Sequence, residues 1–321
     1  MLTVVEQHPR PVIDRRHPGS QGNKHGFEGG SVVVVDGVYH LFTSEMIDDP
    51  LWVKMRLGHW SSTDRVNWRR EGTLFESSGE FAGMDDRAAL WSPMPIFDEV
   101  EEVWNLFYVA YRCMPETKGS FCQNFEGKIF RAVSTLPGRQ GIAGPYRDVG
   151  IILRPMPNQD AWEGLQGTDS FYPFQVGAAW YAFYGSAQTQ FTPIPFWGVG
   201  LARAASLAGP WRRCSERNPV LMDPKFVENP IVTRFEDGTY GCVSDATFTG
   251  RGFKYAQSKE GLNWGVMSLV ELREDGWLKA SRTPLGLLPR ADGLFDMLFT
   301  GGSHEGYACV GLVTLRRTSG R

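Results

Sequence analysis

The sequence has no long hydrophobic run, little net charge and few cysteines. No apolar stretch approaches the roughly 18 residues of a membrane-spanning helix, so we expect no membrane association. Thirty-three Lys and Arg against 36 Asp and Glu give a net charge of −3, and this balance provides no basic surface for nucleic acid. The five cysteines show no zinc-site spacing and cannot all pair. We expect free thiols, with a bridge between Cys113 and Cys122 as the alternative.

Helical periodicity and a visible leader are also missing. Apolar residues do not recur at helical spacing, which argues against a helical domain. The first ten residues, MLTVVEQHPR, lack a basic region followed by an apolar core. This predicts a cytoplasmic protein, although a secreted protein trimmed to its mature form would show the same N-terminus.

Turn residues and aromatics are abundant instead. The chain has 37 Gly, 20 Pro and 13% aromatic residues, a composition typical of many short strands joined by tight turns. The clearest example is the hairpin Ser31–Val35, Asp36-Gly37, Val38–Thr43, because Asp-Gly between β-branched and aromatic runs favours a two-residue turn with positive φ. Glu28 stands just before its first strand.

Similar strand units recur along the chain at a spacing of about 60 residues. Turn signatures repeat between units, as in Ser62–Trp68 and Ser258–Trp264, or Gly144–Tyr146 and Gly209–Trp211. The units begin near Glu28, Trp91, Asp169, Glu228 and Asp292. Five four-stranded antiparallel units predict an all-β fold, a five-bladed β-propeller that forms a single domain over residues 1–321. The strand Leu2–Val5 lacks a local partner, and we expect it to pair with the last blade and close the ring.

Three acidic residues precede the first strands of their units: Glu28, Asp169 and Glu228. The first strand of each propeller blade lines the central channel, so these carboxylates are expected to meet at one mouth. Carboxylates placed close together raise one another's pKa, and one of them can then stay protonated near neutral pH. Glycoside hydrolysis uses such a set, with one carboxyl as proton donor and another as base or nucleophile.

In its blade pattern and in these three carboxylates the chain resembles the five-bladed propeller glycosidases, above all glycoside hydrolase family 43 (arabinanases, arabinofuranosidases and xylosidases). The resemblance implies that Glu28 is the general base, that Asp169 tunes the acid and that Glu228 is the proton donor. Two motifs depart from the family. Glu28-Gly29 stands where the family usually has Asp-Pro, and Glu228 lies in Val-Glu-Asn-Pro instead of the usual Glu-Gly-Pro.

Further side chains are candidates for contacts with the substrate. Aromatic residues stack on sugar faces, histidines hydrogen-bond or coordinate ions, and arginines bind uronic acids or phosphate or pair with the acidic triad. The predicted substrate-binding residues are His25, Trp91, Arg112, Tyr172, Asp245, Arg282 and His304. Trp52 and Phe191 are further stacking candidates, and Arg56 is a further cationic one.

The sequence therefore predicts a glycoside hydrolase, exo-acting on short oligosaccharides or glycosides, with a carbohydrate as its partner. We expect no organic cofactor and no catalytic metal, while a structural cation in the channel stays an alternative. One competing hypothesis is a phosphorylase or transglycosylase on the same scaffold, which needs a cationic phosphate pocket. The other is a non-catalytic carbohydrate-binding propeller, because fold alone does not determine function.

Overall fold

A computed structural model describes residues 1–116, 123–246, 251–273 and 276–318. The described residues form twenty β-strands and two short 3₁₀ helices, Pro18–Ser20 and Arg139–Ala143. This confirms the all-β prediction. Within these ranges no helix is long and apolar enough to cross a membrane.

The strands are grouped by position in the chain. The N-terminal strand is β1 (Leu2–Gln7). The first group contains β2 (Gly26–Val35), β3 (Val38–Met46), β4 (Met55–Ser62) and β5 (Arg69–Glu76). The second contains β6 (Ala89–Asp98), β7 (Val103–Cys113), β8 (Asn124–Ser134) and β9 (Tyr146–Leu153). The third contains β10 (Asp169–Val176), β11 (Ala179–Ala187), β12 (Trp197–Ala204) and β13 (Arg212–Arg213). The fourth contains β14 (Ile231–Arg234), β15 (Tyr240–Asp245), β16 (Gly252–Ser258) and β17 (Ser268–Glu271). The fifth contains β18 (Leu278–Pro289), β19 (Leu294–Ser303) and β20 (Ala308–Arg317).

Each group forms an antiparallel sheet in chain order, and β1 adds the fourth strand of the fifth sheet. β1 pairs antiparallel with β20, so the two ends of the chain share one sheet, as predicted. The fifth and first sheets are also continuous with each other, through a single parallel bridge between Gly26 and Ala308. At Gly26 φ is +103°, and a Cβ would overlap the backbone of Ala308, so only glycine allows the two strands to approach this closely.

Local turn chemistry accounts for the hairpins. Asp36 and Gly37 both have positive φ, 50° and 80°, as a two-residue turn between twisted strands requires. The repeated turn signature also has a common structure. Ser62 Oγ accepts a hydrogen bond from the backbone N of Arg65 at 2.9 Å, and Ser258 Oγ accepts one from Gly261 N at 2.8 Å.

The first strands of the five sheets contact one another in a cycle: β2 with β6, β6 with β10, β10 with β14, β14 with β18 and β18 with β2. Buried apolar clusters lie between neighbouring sheets. Aromatic pairs join the faces across them, such as Phe107 with Phe171 at 5.2 Å between ring centroids and Phe253 with Phe299 at 5.3 Å. The arrangement resembles a propeller, with the first strands around a central axis.

The outer strands of the third and fourth sheets are short. In the third sheet the outer strand is the two-residue β13. In the fourth sheet, β17 follows the turn ending at Trp264. Outer strands have one unpaired edge and partly exposed faces, so their hydrophobic pattern is weak.

The cysteines Cys113, Cys214, Cys242 and Cys309 are free and buried. Burial raises the pKa of the Cys113 thiol to about 12. Cys122, the other half of the alternative bridge, lies outside the described residues, whereas Cys113 is free and its thiol donates to Asn124 Oδ1 at 3.0 Å.

Candidate active site

Five residues occupy equivalent positions near the start of the first strand of each sheet, or just before it. These ring positions are Glu28, Trp91, Asp169, Glu228 and Arg282. The residue after each of the first four has positive φ: Gly29 at 67°, Ser92 at 50°, Ser170 at 42° and Asn229 at 49°. The strand register shifts at the ring position in β2, β6 and β10, and between Ser281 and Pro284 in β18. Such bulges re-aim side chains and are common beside active sites.

All five ring side chains line one cavity of about 580 Å³, a volume that includes its open mouth. Aromatic residues supply much of the remaining wall, namely Trp52, Tyr111 and Trp197, with the amides Asn124 and Gln166. The three predicted catalytic carboxyls, Glu28, Asp169 and Glu228, thus share one cavity.

The guanidinium of Arg282 binds the carboxylates around it. Its Nε donates to Glu28 Oε1 at 2.7 Å. Its Nη1 donates to Glu228 Oε2 at 2.6 Å and its Nη2 to Glu228 Oε1 at 3.2 Å, a bidentate contact. Nη1 also contacts Asp245 Oδ2. The positive charge among these carboxylates is therefore supplied by a side chain of the fifth sheet.

Glu228 is nine-tenths or more buried, with 6% of its surface exposed. Burial raises the pKa of its carboxyl to about 8, and the negative charges of Asp245 and Asp169 act in the same direction, while Arg282 opposes them. The raised pKa favours the protonated form of this carboxyl, the form that can donate a proton.

Asp169 is equally buried and is held by a chain of hydrogen bonds. Burial raises the pKa of Asp169, against a hydrogen bond from Tyr111 and the charge of Arg282. Tyr111 accepts in turn from Gln166 Nε2 at 3.2 Å. The carboxylate can only accept, so the order of donors runs from Gln166 through Tyr111 to Asp169.

Because the Gln166 amide nitrogen donates to Tyr111, the orientation of the amide is fixed and its carbonyl oxygen makes no hydrogen bond to Tyr111. Gln166 Oε1 and the indole nitrogens of Trp91 and Trp197 are buried and have no hydrogen-bond partner in the described part of the chain. Buried polar atoms without partners are costly. These three atoms of cavity-lining residues are therefore candidates for hydrogen bonds to a bound ligand or to water.

The structure brings Trp91 and Arg282 to the cavity but not the other predicted substrate-binding residues. Arg112 pairs with Asp86 at 2.7 Å and Glu126 at 3.2 Å in a separate groove between the second and third sheets. It lies in β7, the second strand of its sheet, next to Tyr111, and successive strand residues face opposite sides. The expectation that Arg112 lines the cavity is therefore corrected.

Both histidines lie outside the cavity as well. His25 Nε2 pairs with Asp49 Oδ1 at 2.9 Å, on a loop after β3. His304 lies in the turn after β19 and lines a groove beside the fifth sheet. His25 directly precedes β2 and His304 directly follows β19, and neither side chain lines the cavity.

Tyr172 and Asp245 lie close to the ring without lining the cavity. Tyr172 lines a smaller space among residues that follow the ring positions, such as Ser170 and Thr283. Asp245 is fully buried and contacts Arg282. Of the additional candidates, Trp52 lines the cavity, Phe191 is 52% exposed, and Arg56 pairs with the buried Glu45.

Tyr111, Gln166 and Trp197 are cavity residues that sequence reasoning missed, because they lie outside the first strands. A usable signal existed for the fifth ring position. Trp91-Ser-Pro, Glu228-Asn-Pro and Arg282-Thr-Pro share one spacing, and aligning them places Arg282 in the ring.

Within the described ranges no group of three His, Cys, Asp or Glu residues is arranged to hold a metal ion. The carboxylates that converge here are bound to the Arg282 guanidinium instead.

No protein-family model matches the sequence, and no curated protein matches it either. Solved structures do match. The chain has the β-propeller fold of family 43 and family 117 glycoside hydrolases. A family 117 enzyme of the marine bacterium Zobellia galactanivorans is 15% identical, with 98% of this chain and 95% of that chain covered and a TM-score of 0.67. This likeness confirms the predicted resemblance to family 43 and its relatives at the level of the fold.

Two family 43 structures support the same conclusion. An enzyme from Xanthomonas citri in complex with xylotriose is 15% identical, covering 98% of this chain and 91% of that one with a TM-score of 0.62. A β-xylosidase/α-arabinofuranosidase from a compost microbial metagenome, also in complex with xylotriose, is 14% identical, covering 99% and 96% with a TM-score of 0.61.

Proposed function

We propose that the protein is a glycoside hydrolase, formed as a single-domain, closed five-bladed propeller with its active site in the cavity around Arg282. The observation that carries this proposal is the pair Glu28 and Glu228 held by one guanidinium, with burial raising the pKa of the Glu228 carboxyl. A protonated carboxyl and a carboxylate that line the same cavity are what glycosidic cleavage needs.

In the proposed reaction Glu228 donates its proton to the glycosidic oxygen as the C–O bond breaks. Glu28 takes a proton from water, whose oxygen forms the new bond to the anomeric carbon. Asp169 stays within the cavity wall and, through its charge, favours the protonated form of Glu228. No organic cofactor takes part in these steps.

We propose a carbohydrate substrate, with cleavage of one terminal unit from a short oligosaccharide or glycoside. The indoles of Trp52, Trp91 and Trp197 offer apolar faces for stacking against a sugar ring. The fold comparison is consistent with this, since two of the similar structures hold xylotriose.

The phosphorylase hypothesis needs arginines that are available to bind phosphate, and the three candidate arginines do not meet this need. Arg56, Arg112 and Arg282 each pair with carboxylates. A phosphate entering beside Arg282 would meet Glu28, Glu228 and Asp245, and like charges placed together are costly to bury. Hydrolysis by water avoids this cost.

The test is hydrolysis of a panel of aryl glycosides and oligosaccharides, followed by two variants. Glu228→Gln keeps the side-chain shape but cannot donate a carboxyl proton, so activity on sugar leaving groups should fall about 10²- to 10⁴-fold. The loss should be much smaller with a dinitrophenyl leaving group, which departs as a stable anion.

Glu28→Gln is the matched control, because it should impair both substrates alike. Equal losses on both substrates for Glu228→Gln would show that Glu228 is not the acid. A wild-type protein that binds sugars but cleaves none of the panel would favour the non-catalytic propeller.

A further inference from the structure

Asp245 ends β15 and lies directly against the ion-paired centre of the cavity, although it does not line the cavity itself. Its side chain has no exposed surface. Its carboxylate contacts Nη1 of Arg282, the same nitrogen that donates to Glu228 Oε2 at 2.6 Å. Its backbone N–H donates to the carbonyl oxygen of Glu228 at 3.1 Å. Asp245 is thus tied to both the backbone of Glu228 and the cation that binds its side chain.

The contact between Arg282 and Glu228 poses a problem for acid catalysis. A bidentate guanidinium favours the ionised form of a carboxyl, whereas a general acid must carry a proton before it reacts. Arg282 alone would therefore hold Glu228 in the wrong state.

The surrounding charges resolve this problem. Arg282, from the fifth sheet, faces Glu28 from the first sheet and Asp245 and Glu228 from the fourth. Asp169 and the Tyr111 phenol face the same centre from the third and second sheets. The carboxylates of Glu28 and Asp245 both bind this one guanidinium already, so a third ionised carboxyl would add uncompensated charge in a buried place.

We propose that Asp245 is a positioning residue for the general acid: it fixes Arg282 and offsets its charge, so that Glu228 keeps its proton in the free enzyme. This inference rests on the proposed function of the cavity. The raised pKa of Glu228 supports it, since the charge of Asp245 is one of the causes, together with burial and the charge of Asp169.

The test is the pH dependence of kcat/KM in Asp245→Asn, which keeps the shape of the side chain and removes its charge. Glu228 should then lose its proton at lower pH, because Arg282 is less well compensated. The alkaline limb of the profile should move down by about one pH unit or more, the usual size of a shift caused by one neighbouring charge. Activity at pH 8 should fall relative to activity at pH 6.

Asp296→Asn is the matched control. Asp296 is also a buried aspartate bound by arginines, Arg65 and Arg290, but it lies in β19 and does not line the cavity. Its loss should lower stability and leave the alkaline limb in place. An unshifted limb in Asp245→Asn, or equal shifts in both variants, would overturn the proposal.

Carboxyl ¹³C NMR titration of the wild-type protein gives a second test that needs neither folded variants nor activity. Glu228 should keep its proton through neutral pH and lose it in the alkaline range. A proton held on Asp245 with Glu228 ionised at pH 6 would overturn the proposal. The titration requires no turnover, so its result is independent of activity. A wild-type protein that cleaves no glycoside would count against the proposed function alone.

Discussion

At the scale of single residues, the length of the Glu28 side chain is the clearest departure from the family that this chain resembles. Family 43 usually has Asp-Pro at this position, and here Glu28 is followed by Gly29 and Gly30. The extra methylene carries the carboxylate to Arg282, where Oε1 lies 2.7 Å from Nε. The ion pair with Arg282 depends on the length of the Glu28 side chain, because an aspartate on the same backbone would not reach the guanidinium.

We expect Glu28→Asp to lower kcat/KM about 10²-fold, the cost of a displacement of about 1 Å in a catalytic group. The carboxylate is retained, so the loss would report position and not charge. Steady-state kinetics on one aryl glycoside, with Glu28→Gln beside it, is the measurement. Unchanged kinetics in Glu28→Asp would remove Glu28 from the role of base.

At the scale of secondary-structure elements, the bulges at the ring positions decide where the carboxyls point. In β2 the register shifts between Glu28 and Gly30. At Gly30 φ is +126°, and a Cβ would overlap the carbonyl oxygen of Phe42 in β3. The bulge therefore depends on glycine at this site for steric reasons.

Gly30→Ala should lower the free energy of unfolding by about 1–3 kcal/mol, the usual cost of a strained backbone, and should reduce activity by displacing Glu28. Urea denaturation and the aryl glycoside assay measure the two effects. Gly72→Ala in β5 is the control, because a Cβ there meets no atom within 4 Å. Similar behaviour of the two variants would contradict the steric argument.

A buried histidine in β4 makes stability depend on pH. His59 is 2% exposed, stacks on Phe42 at 4.6 Å and lies 3.0 Å from the His40 ring, Nε2 to Nδ1. Burial lowers the pKa of His59 to about 4, assisted by the charge of His40 and opposed by Glu71. The unfolded chain binds a proton near the ordinary value of about 6.5, so it gains protons first as pH falls.

The contribution of His59 to the free energy of unfolding should therefore be fully present above about pH 6.5 and decrease as pH falls towards 4. The expected loss between pH 7 and pH 5 is about 2 kcal/mol. Urea denaturation at the two pH values measures this loss. His59→Phe should reduce the difference, whereas the exposed His304→Gln should leave it unchanged. A His59→Phe protein with the full wild-type pH dependence would disprove the assignment to His59.

At the scale of the whole molecule, the fold is completed by strands from opposite ends of the chain. β1 pairs with β20, and the N-terminal amine donates to the carbonyl oxygen of Thr318 at 2.9 Å. Leu2 is 3% exposed and belongs to an apolar cluster with Val313 and Leu315. The first residues of the chain therefore support a sheet whose other strands, β18 to β20, come from the opposite end of the chain.

Leu2→Ala should lower the free energy of unfolding by about 2–5 kcal/mol, the range for a buried Leu. Thr3→Ala is the control, because Thr3 lies beside Leu2 on the exposed face of β1. Removal of residues 1–7 should cost more and promote association, since the edge of β20 would be left unpaired. Thermal melting and size-exclusion chromatography test both expectations. A melting temperature unaffected by Leu2→Ala would refute the role of this strand.

How far the sequence could predict this protein differs between the fold and the site. Strand units and Asp-Gly turns depend on local patterns repeated along the chain, and repetition makes each unit evidence for the others. The same repetition marked Glu28, Asp169 and Glu228 as equivalent positions. The sequence did not predict the short outer strand β13 or the position of Arg112 in a separate groove, because neither has a repeated local pattern.

The sequence by itself determined the all-β class, the repeat and the three acidic positions, since turn chemistry and strand alternation act over a few residues. It also indicated that the chain ends pair, because Leu2–Val5 has no local partner. The tertiary structure alone decided that Arg282 binds Glu28, Glu228 and Asp245 together, that Tyr111 and Gln166 hold Asp169, and that His25 and His304 stay outside. These relations join residues as far apart as 28 and 282, and burial and charge at such a centre exist only after the five sheets have come together.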